Sequence, residues 1–312
     1  NPNIEEWKLL YKKLVYWELE LDKSPDSGMD EVIKTQKIDA NREFSKFVEK
    51  NYLNFIQADN PKSPVMSHTL IQKAVLPLLK TGQPTFFVLM DNLRFDQWRI
   101  ISSSIGEMFR VENEDLYLSI LPTTTQYCRN SIFSGMMPLE IEKRFPDKWS
   151  NDEDEGGKNM YEAFFLNDQL QRLRKADLKT SYTKILNLNE GKALVDSIPN
   201  LLKNDLNVVV YNFVDTLSHA RTDYKVIREL ADDEAAYRSL TLSWFEHSPL
   251  KEALKRIAEK NATVIITTDH GSVRVNNTVK IIGDKNTTTN LRYKTGRNLS
   301  YNAKEVMEFK DP

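Results

Sequence analysis

Apolar residues near the start of the chain recur at three- and four-residue steps. Trp7, Leu10, Leu14, Trp17 and Leu21 keep that spacing within residues 4–22, which predicts a helix. Turn-forming residues at 24–28 interrupt it. A second helix is predicted over 29–55, with Ile33, Phe44, Phe47 and Tyr52 on its apolar side, and residues 58–64 read as a linker. Residues 1–60 are therefore expected to form a small helical hairpin or bundle, charged outside and aromatic inside. Such an element suits packing, dimerisation or signal transmission.

After residue 65 the pattern changes. A helix is predicted over 67–79, and continuous apolar runs of strand length follow at 85–90, 116–121, 181–186, 207–214 and 262–267. Helical patterns lie between them at 94–105, 125–134, 159–175, 190–203, 233–246 and 249–260. Strands alternating with helices predict an α/β fold over residues 65–312, a mostly parallel sheet flanked by helices and preceded by the small helical domain. Residues 151–157 read as an acidic surface loop, and residues 276–301 are polar, with a basic stretch at Arg292, Lys294 and Arg297. That stretch suits either a polyanionic substrate or a solvated loop.

Composition narrows the function. Lys plus Arg number 43 and Asp plus Glu 45, a net charge of −2, which argues against bulk electrostatic binding to nucleic acid or anionic lipid. No apolar run reaches the ~18 residues of a membrane span, so no membrane insertion is expected. The one cysteine, Cys128, excludes a disulfide framework and a cysteine-built zinc site, and suits either a reducing, cytoplasmic compartment or a chain indifferent to redox. Cys128 itself reads as a helix packing residue. The histidines are His68, His219, His247 and His270, so any zinc site must combine these with carboxylates. Gly191-Lys192 lacks the rest of a phosphate-binding loop.

Ligands of open α/β sheets bind beyond the carboxyl ends of the strands. There the chain carries Asp91 after the first run, Thr123, Thr124 and Thr125 after the second, Asp215 and His219 after the fourth, and Asp269-His270-Gly271 after the last. Asp91, Asp269 and His270 suit one zinc ion, with a threonine oxygen as fourth ligand. Asp215 and His219, four apart on a helical face, begin a second ion that lacks a third protein ligand. Two such metals ~3.5–4 Å apart clamp the attacking and leaving oxygens of a phosphoryl displacement. A metal-activated threonine at a helix start would be the nucleophile, with the free N–H groups of the first turn facing the phosphate.

These segments, in this order, resemble the alkaline phosphatase superfamily. Its two-zinc phosphodiesterases carry a strand-end Asp, a Thr at a helix start, an Asp-x-x-x-His and an Asp-His. The likeness is closer to PglZ domains, through residues 91–98, 121–138, 215–219 and 267–271. Residues 11–29 and 290–302 are similar to PorX-like response regulators linked to type 9 secretion. The resemblance spans nearly all of the chain. It implies two zinc ions, with Asp91, Thr125, Asp269 and His270 at one and Asp215 and His219 at the other. Thr125 is the implied nucleophile, because its spacing to the Ser134-Gly135 that ends the helix matches the family pattern. Arg129, one turn after Thr125, reads either as a contact to a phosphate oxygen or as the partner of a nearby carboxylate, and Asn92 either as a donor to the phosphate or as the residue that fixes the turn. Arg94 and Asp96 read either as support for the site or as the cap of the following helix.

The implied activity is zinc-dependent phosphodiester hydrolysis on nucleotides or oligonucleotides, serving as the effector of a two-component response regulator. The alternative is a metal-stabilised regulatory dimer that binds a transcription-factor or secretion partner with little catalysis. A monoesterase or phosphate-transferring mutase would use the same fold. The family's second zinc takes a further His from a His-Gly-Gly segment absent here. The chain is thus expected to be a fragment that stops before that segment and begins after the receiver domain. His68 and His247 read as surface or capping residues.

Overall fold

The computed structural model describes residues 2–23, 28–57, 63–152, 154–275 and 277–309. Most of the break at 24–28 and of the linker at 58–64, and one residue of the acidic loop, lie outside these. In chain order come α1 (Ile4–Leu21), α2 (Asp30–Phe55), β1 (Thr85–Met90) and α3 (Phe95–Gly106). Then follow α4 (Thr125–Ser134), α5 (Pro138–Arg144), α6 (Glu162–Arg172), β2 (Thr180–Ile185) and α7 (Leu188–Leu201). The remainder is β3 (Leu206–Tyr211), α8 (Phe213–Asp223), α9 (Lys225–Leu230), α10 (Glu234–His247), α11 (Pro249–Ala258) and β4 (Thr263–Thr267). None of the helices described is long and apolar enough to cross a membrane.

Two compact units divide the chain. The first comprises Asn1–Pro64, Leu78–Tyr117 and Leu178–Thr268 and contains the whole sheet. All four strands are parallel, in the order β2-β3-β1-β4. Every residue of the central strands β1 and β3 is buried, whereas the edge strands β2 and β4 are mostly half-buried. That difference explains why the central strands read as unbroken apolar runs. Phe86, Val88 and Met90 join Ile101 and Ile105 of α3, Leu194 and Ile198 of α7 and Leu254 and Ile257 of α11 in one core. Gly191 lets α7 approach closely, since a Cβ there would meet the Tyr211 hydroxyl and Pro249.

In the same unit, α1 begins with a capping box. Asn3 Oδ1 accepts from the N–H groups of Glu5 and Glu6, and Glu6 returns a bond to the Asn3 N–H. Trp7 then packs on Phe44 and Phe47 of α2, at 5.3 and 6.0 Å between ring centroids. Leu14 and Val15 are buried, but Leu10 and Trp17 are exposed, so the buried stripe of α1 is narrower than its apolar spacing predicts.

The second unit comprises Val65–Pro77, Leu118–Asp177 and Asp269–Pro312. The predicted helix at 67–79 is broken into short turns at Ser67–Thr69, Ile71–Val75 and Leu76–Leu78, the last holding Pro77, which has no N–H to donate. His68, expected at the surface, is buried in the first of them, while His247 is exposed. The predicted strand at 116–121 is not a ladder strand. It forms one bridge, Leu118 to Met66, and the Ile120 N–H turns instead to Ser67 Oγ at 3.1 Å. Helix α4 packs on α6 through a buried ion pair between Arg129 and Glu162. It ends at Gly135 in the left-handed region (φ 64°), where a Cβ would collide with Gln169.

Two kinds of stability outcome are expected. Leu254→Ala, in the core, should cost about 3 kcal/mol, and Leu53→Ala, on the exposed side of α2, no more than about 0.5 kcal/mol. Glu162→Ala strands the Arg129 guanidinium and should cost about 3–5 kcal/mol. Urea unfolding followed by circular dichroism measures all three.

Candidate metal centre

In the first unit, strand register places the candidate residues. The Asp91 N–H donates to the Tyr211 carbonyl at 2.8 Å, extending the β1–β3 ladder by one bond, and its side chain is fully buried. Asn92 then turns the chain in the left-handed region (φ 60°), a conformation that asparagine tolerates better than most residues. Its Nδ2 donates to Asp215 Oδ1 at 3.3 Å. Asp215 lies in the first turn of α8, and His219 Nε2 stands 3.5 Å from its Oδ2. The His219 side chain is 74% exposed and that of Asp215 22% exposed.

The neighbouring strand, β4, is in register with β1. Leu89 stands opposite Thr267 in the β1–β4 pairing, so Asp91 and Asp269 each come two residues after a matched pair. Thr268, just before Asp269, accepts at its Oγ1 from the Leu93 N–H at 3.0 Å, which fastens the turn after β1 to the end of β4.

A buried charge network supports that turn. Arg94 pairs with Asp96 and Glu234, and Arg221, two residues beyond His219, donates to Glu234 at 2.9 Å. Arg238 of α10 donates to Asp96 at 2.9 Å and to Glu18 at 3.2 Å, and also pairs with Asp22. The Tyr237 ring has the Arg94 and Arg221 guanidinium groups at 5.2 and 4.8 Å. Burial opposes ionisation of Asp96, but Arg94 and Arg238 outweigh it and hold the carboxyl below its usual range. The same balance lowers Glu234, through Arg94 and Arg221.

In the second unit, Thr125 is the first residue of α4. Thr124 occupies the cap position without a side-chain cap bond, so the first-turn N–H groups receive no side-chain cap from it. Thr125 Oγ1 lies 2.9 Å from His270 Nε2. His270 Nδ1 is 3.2 Å from the Gly271 carbonyl, and a carbonyl only accepts, so the proton sits on Nδ1 and Nε2 carries a lone pair. The Asp269 carboxylate accepts from the His270 N–H at 2.9 Å, and its carbonyl is held by Ser119 Oγ at 2.7 Å. Arg129 faces Glu162 one turn further along α4. Cys128 is buried there, and burial pushes its thiol far above the usual range, which removes it as a nucleophile.

The structure thus brings Asn92 to Asp215, Asp215 to His219, and Thr125 to His270. Arg94 caps α3, its N–H donating to Gln97 Oε1 at 3.0 Å, with Asp96 in the first turn, and both also join the ion network. From the sequence, Arg292 reads only as part of a basic stretch suited to a polyanionic substrate or a solvated loop. It lies in the polar tail, and only geometry reveals that it donates to the carbonyls of Thr123 and Gly271 at 2.6 and 2.7 Å.

Two family models match the chain. The model of the BREX system PglZ alkaline phosphatase-like domain matches residues 70–312, and that of the PorX response regulator linker domain matches residues 1–56. No curated protein matches the chain. With more than half of its residues matched, including every residue of the candidate site, the chain belongs to the PglZ family of alkaline phosphatase-like domains.

Proposed function

We propose that this chain is a zinc-dependent phosphodiesterase acting on nucleotides or oligonucleotides, with Thr125 as nucleophile. The observation that carries the reading is the 2.9 Å approach of Thr125 Oγ1 to a lone-pair Nε2 of His270 at the open N-terminus of α4. The donor set fits a metal. Asp91, buried in the first unit, and Asp269 and His270, buried in the second, are the proposed donors of one ion and are all residue types that zinc takes. Asp215 and His219 would hold a second, and they join no third donor in a group among the described residues. Bound metal would supply charge to lower the Thr125 hydroxyl pKa and to stabilise the phosphate oxygens.

The residues of the chain then have distinct tasks. The Thr125 oxygen attacks phosphorus as its proton passes to solvent, the phosphorus–oxygen bond to the alcohol breaks, and the leaving alkoxide takes up a proton from solvent. Water hydrolyses the phosphothreonine and restores Thr125. The first-turn N–H groups of α4 face the phosphate, whose charge the helix dipole favours. Asn92 orients Asp215, and Arg129, buried against Glu162, braces α4.

The matched linker suggests a response-regulator context, in which this domain is the cytoplasmic effector of type 9 secretion signalling. The same match favours a second reading, a metal-stabilised regulatory dimer that meets a transcription-factor partner and hydrolyses little.

Hydrolysis of bis(4-nitrophenyl) phosphate, with zinc and with chelator, separates the two. Thr125→Ala is expected to lose about three orders of magnitude in kcat or more, and mass spectrometry of wild type during turnover to find phosphate on Thr125. A fully active Thr125→Ala would sink the mechanism, and zinc binding without turnover would favour the regulatory module. Zinc at a hundredfold over its Kd is expected to stabilise wild type by about 2.7 kcal/mol, read as a rise in Tm. Asp269→Asn is expected to lose most of that rise.

A further inference from the structure

We propose that Arg292 is a positioning residue that sets the spacing of Thr125 and His270. This rests on the reading of Thr125 and His270 as parts of one reacting site, and it adds a residue that neither strand ends nor motif spacing supplies. One nitrogen of Arg292, Nη1, donates to the Thr123 carbonyl at 2.6 Å and to the Gly271 carbonyl at 2.7 Å. A guanidinium Nη carries two hydrogens, so each carbonyl receives one. Thr123 Oγ1 lies further off, at 3.3 Å.

The two carbonyls bracket the site. Thr123 precedes Thr125 by two residues, at the entry to α4, and Gly271 follows His270 directly. The Gly271 carbonyl also accepts the proton of His270 Nδ1, so Arg292 touches the atom that fixes the imidazole tautomer. Two carbonyl dipoles aimed at one point repel, and a cation between them turns that repulsion into a clasp. Opening the clasp frees the segment before α4 and the segment after Asp269 to move apart.

The segment that delivers Arg292 is itself anchored. Tyr293, the next residue, donates to Asp152 Oδ1 at 2.7 Å, and Tyr127 of α4 donates to Asp152 Oδ2 at 2.9 Å. The two tyrosine rings meet edge to face at 5.6 Å. The carboxylate of Asp152 therefore ties the tail to the first turn of α4, two residues after Thr125. Arg292 is exposed, yet it is held at both ends of its reach, which is unlike a solvated basic side chain.

The test compares wild type, Arg292→Ala and Arg292→Lys in three measurements. The first is hydrogen exchange of the metal-free protein, in peptides covering residues 119–130 and 266–275. The second is zinc affinity by competition with a chromophoric chelator. The third is kcat and KM on bis(4-nitrophenyl) phosphate. Arg292→Ala is expected to exchange faster in both peptides, to bind zinc about tenfold more weakly and to lose about tenfold in kcat, with KM nearly unchanged. Arg292→Lys, which keeps a charged donor, is expected to recover much of each loss. Raised KM with unchanged kcat would make Arg292 a substrate contact and overturn the proposal, as would unaltered exchange in both peptides. If wild type itself neither binds zinc nor hydrolyses the diester, the reading of the site fails, and the exchange data alone decide whether Arg292 joins the two segments.

Discussion

The parallel, in-register pairing of β1 with β3 and β4 is the constraint on which the site depends. Three neighbouring strands run the same way and end level, so the chain leaves all three at one edge of the sheet. Asp91, Asp215 and Asp269 come soon after those exits. Central strands buried on both faces resist slippage, because a shift of one residue would exchange every inward side chain. Placement of Asp91 and Asp215 within the first unit is therefore inherited from the core, and the turns need only refine it. Asn92 and the Leu93–Thr268 bond supply that refinement.

The network of Arg94, Asp96, Arg221, Glu234 and Arg238 acts at a second level. A buried ion network contributes little net stability against an apolar core of equal volume, since desolvation offsets the attraction. Its geometry is another matter. Each guanidinium has several acceptors at fixed angles, so the turn after β1, the body of α8 and the end of α1 are specified together. Glu18 and Asp22 of the helical hairpin thereby share a partner, Arg238, with Asp96, five positions beyond Asp91.

Much of this was legible in the residues. Helix α4 runs over Thr125–Ser134 as its spacing predicted, and β1 and β3 announced themselves because full burial leaves no polar face to break the run. The run at 116–121 misled because apolar content alone does not distinguish a ladder strand from a half-buried segment whose Leu118 and Ile120 N–H groups turn to the Val65 carbonyl and to Ser67 Oγ. Helices α5 and α9 are too short, at 7 and 6 residues, to establish a period. The charge network stayed hidden because Arg and Glu on a helix read as solvated until their partners are known. His68 was misplaced by the same prior. Arg292 lies in a tail without regular structure, where no periodic signal exists.

The interleaving of the two units also bears on how the protein is made. Each is assembled from three separate stretches, and β4 with Asp269 and His270 lies far along the chain from β1 and Asp91. During synthesis the ribosome delivers β1 and β3 long before β4 exists to cover the exposed flank of β1. An open, apolar, fully hydrogen-bonding strand edge must wait through the translation of α8 to α11, the interval in which a nascent chain has most need of a chaperone.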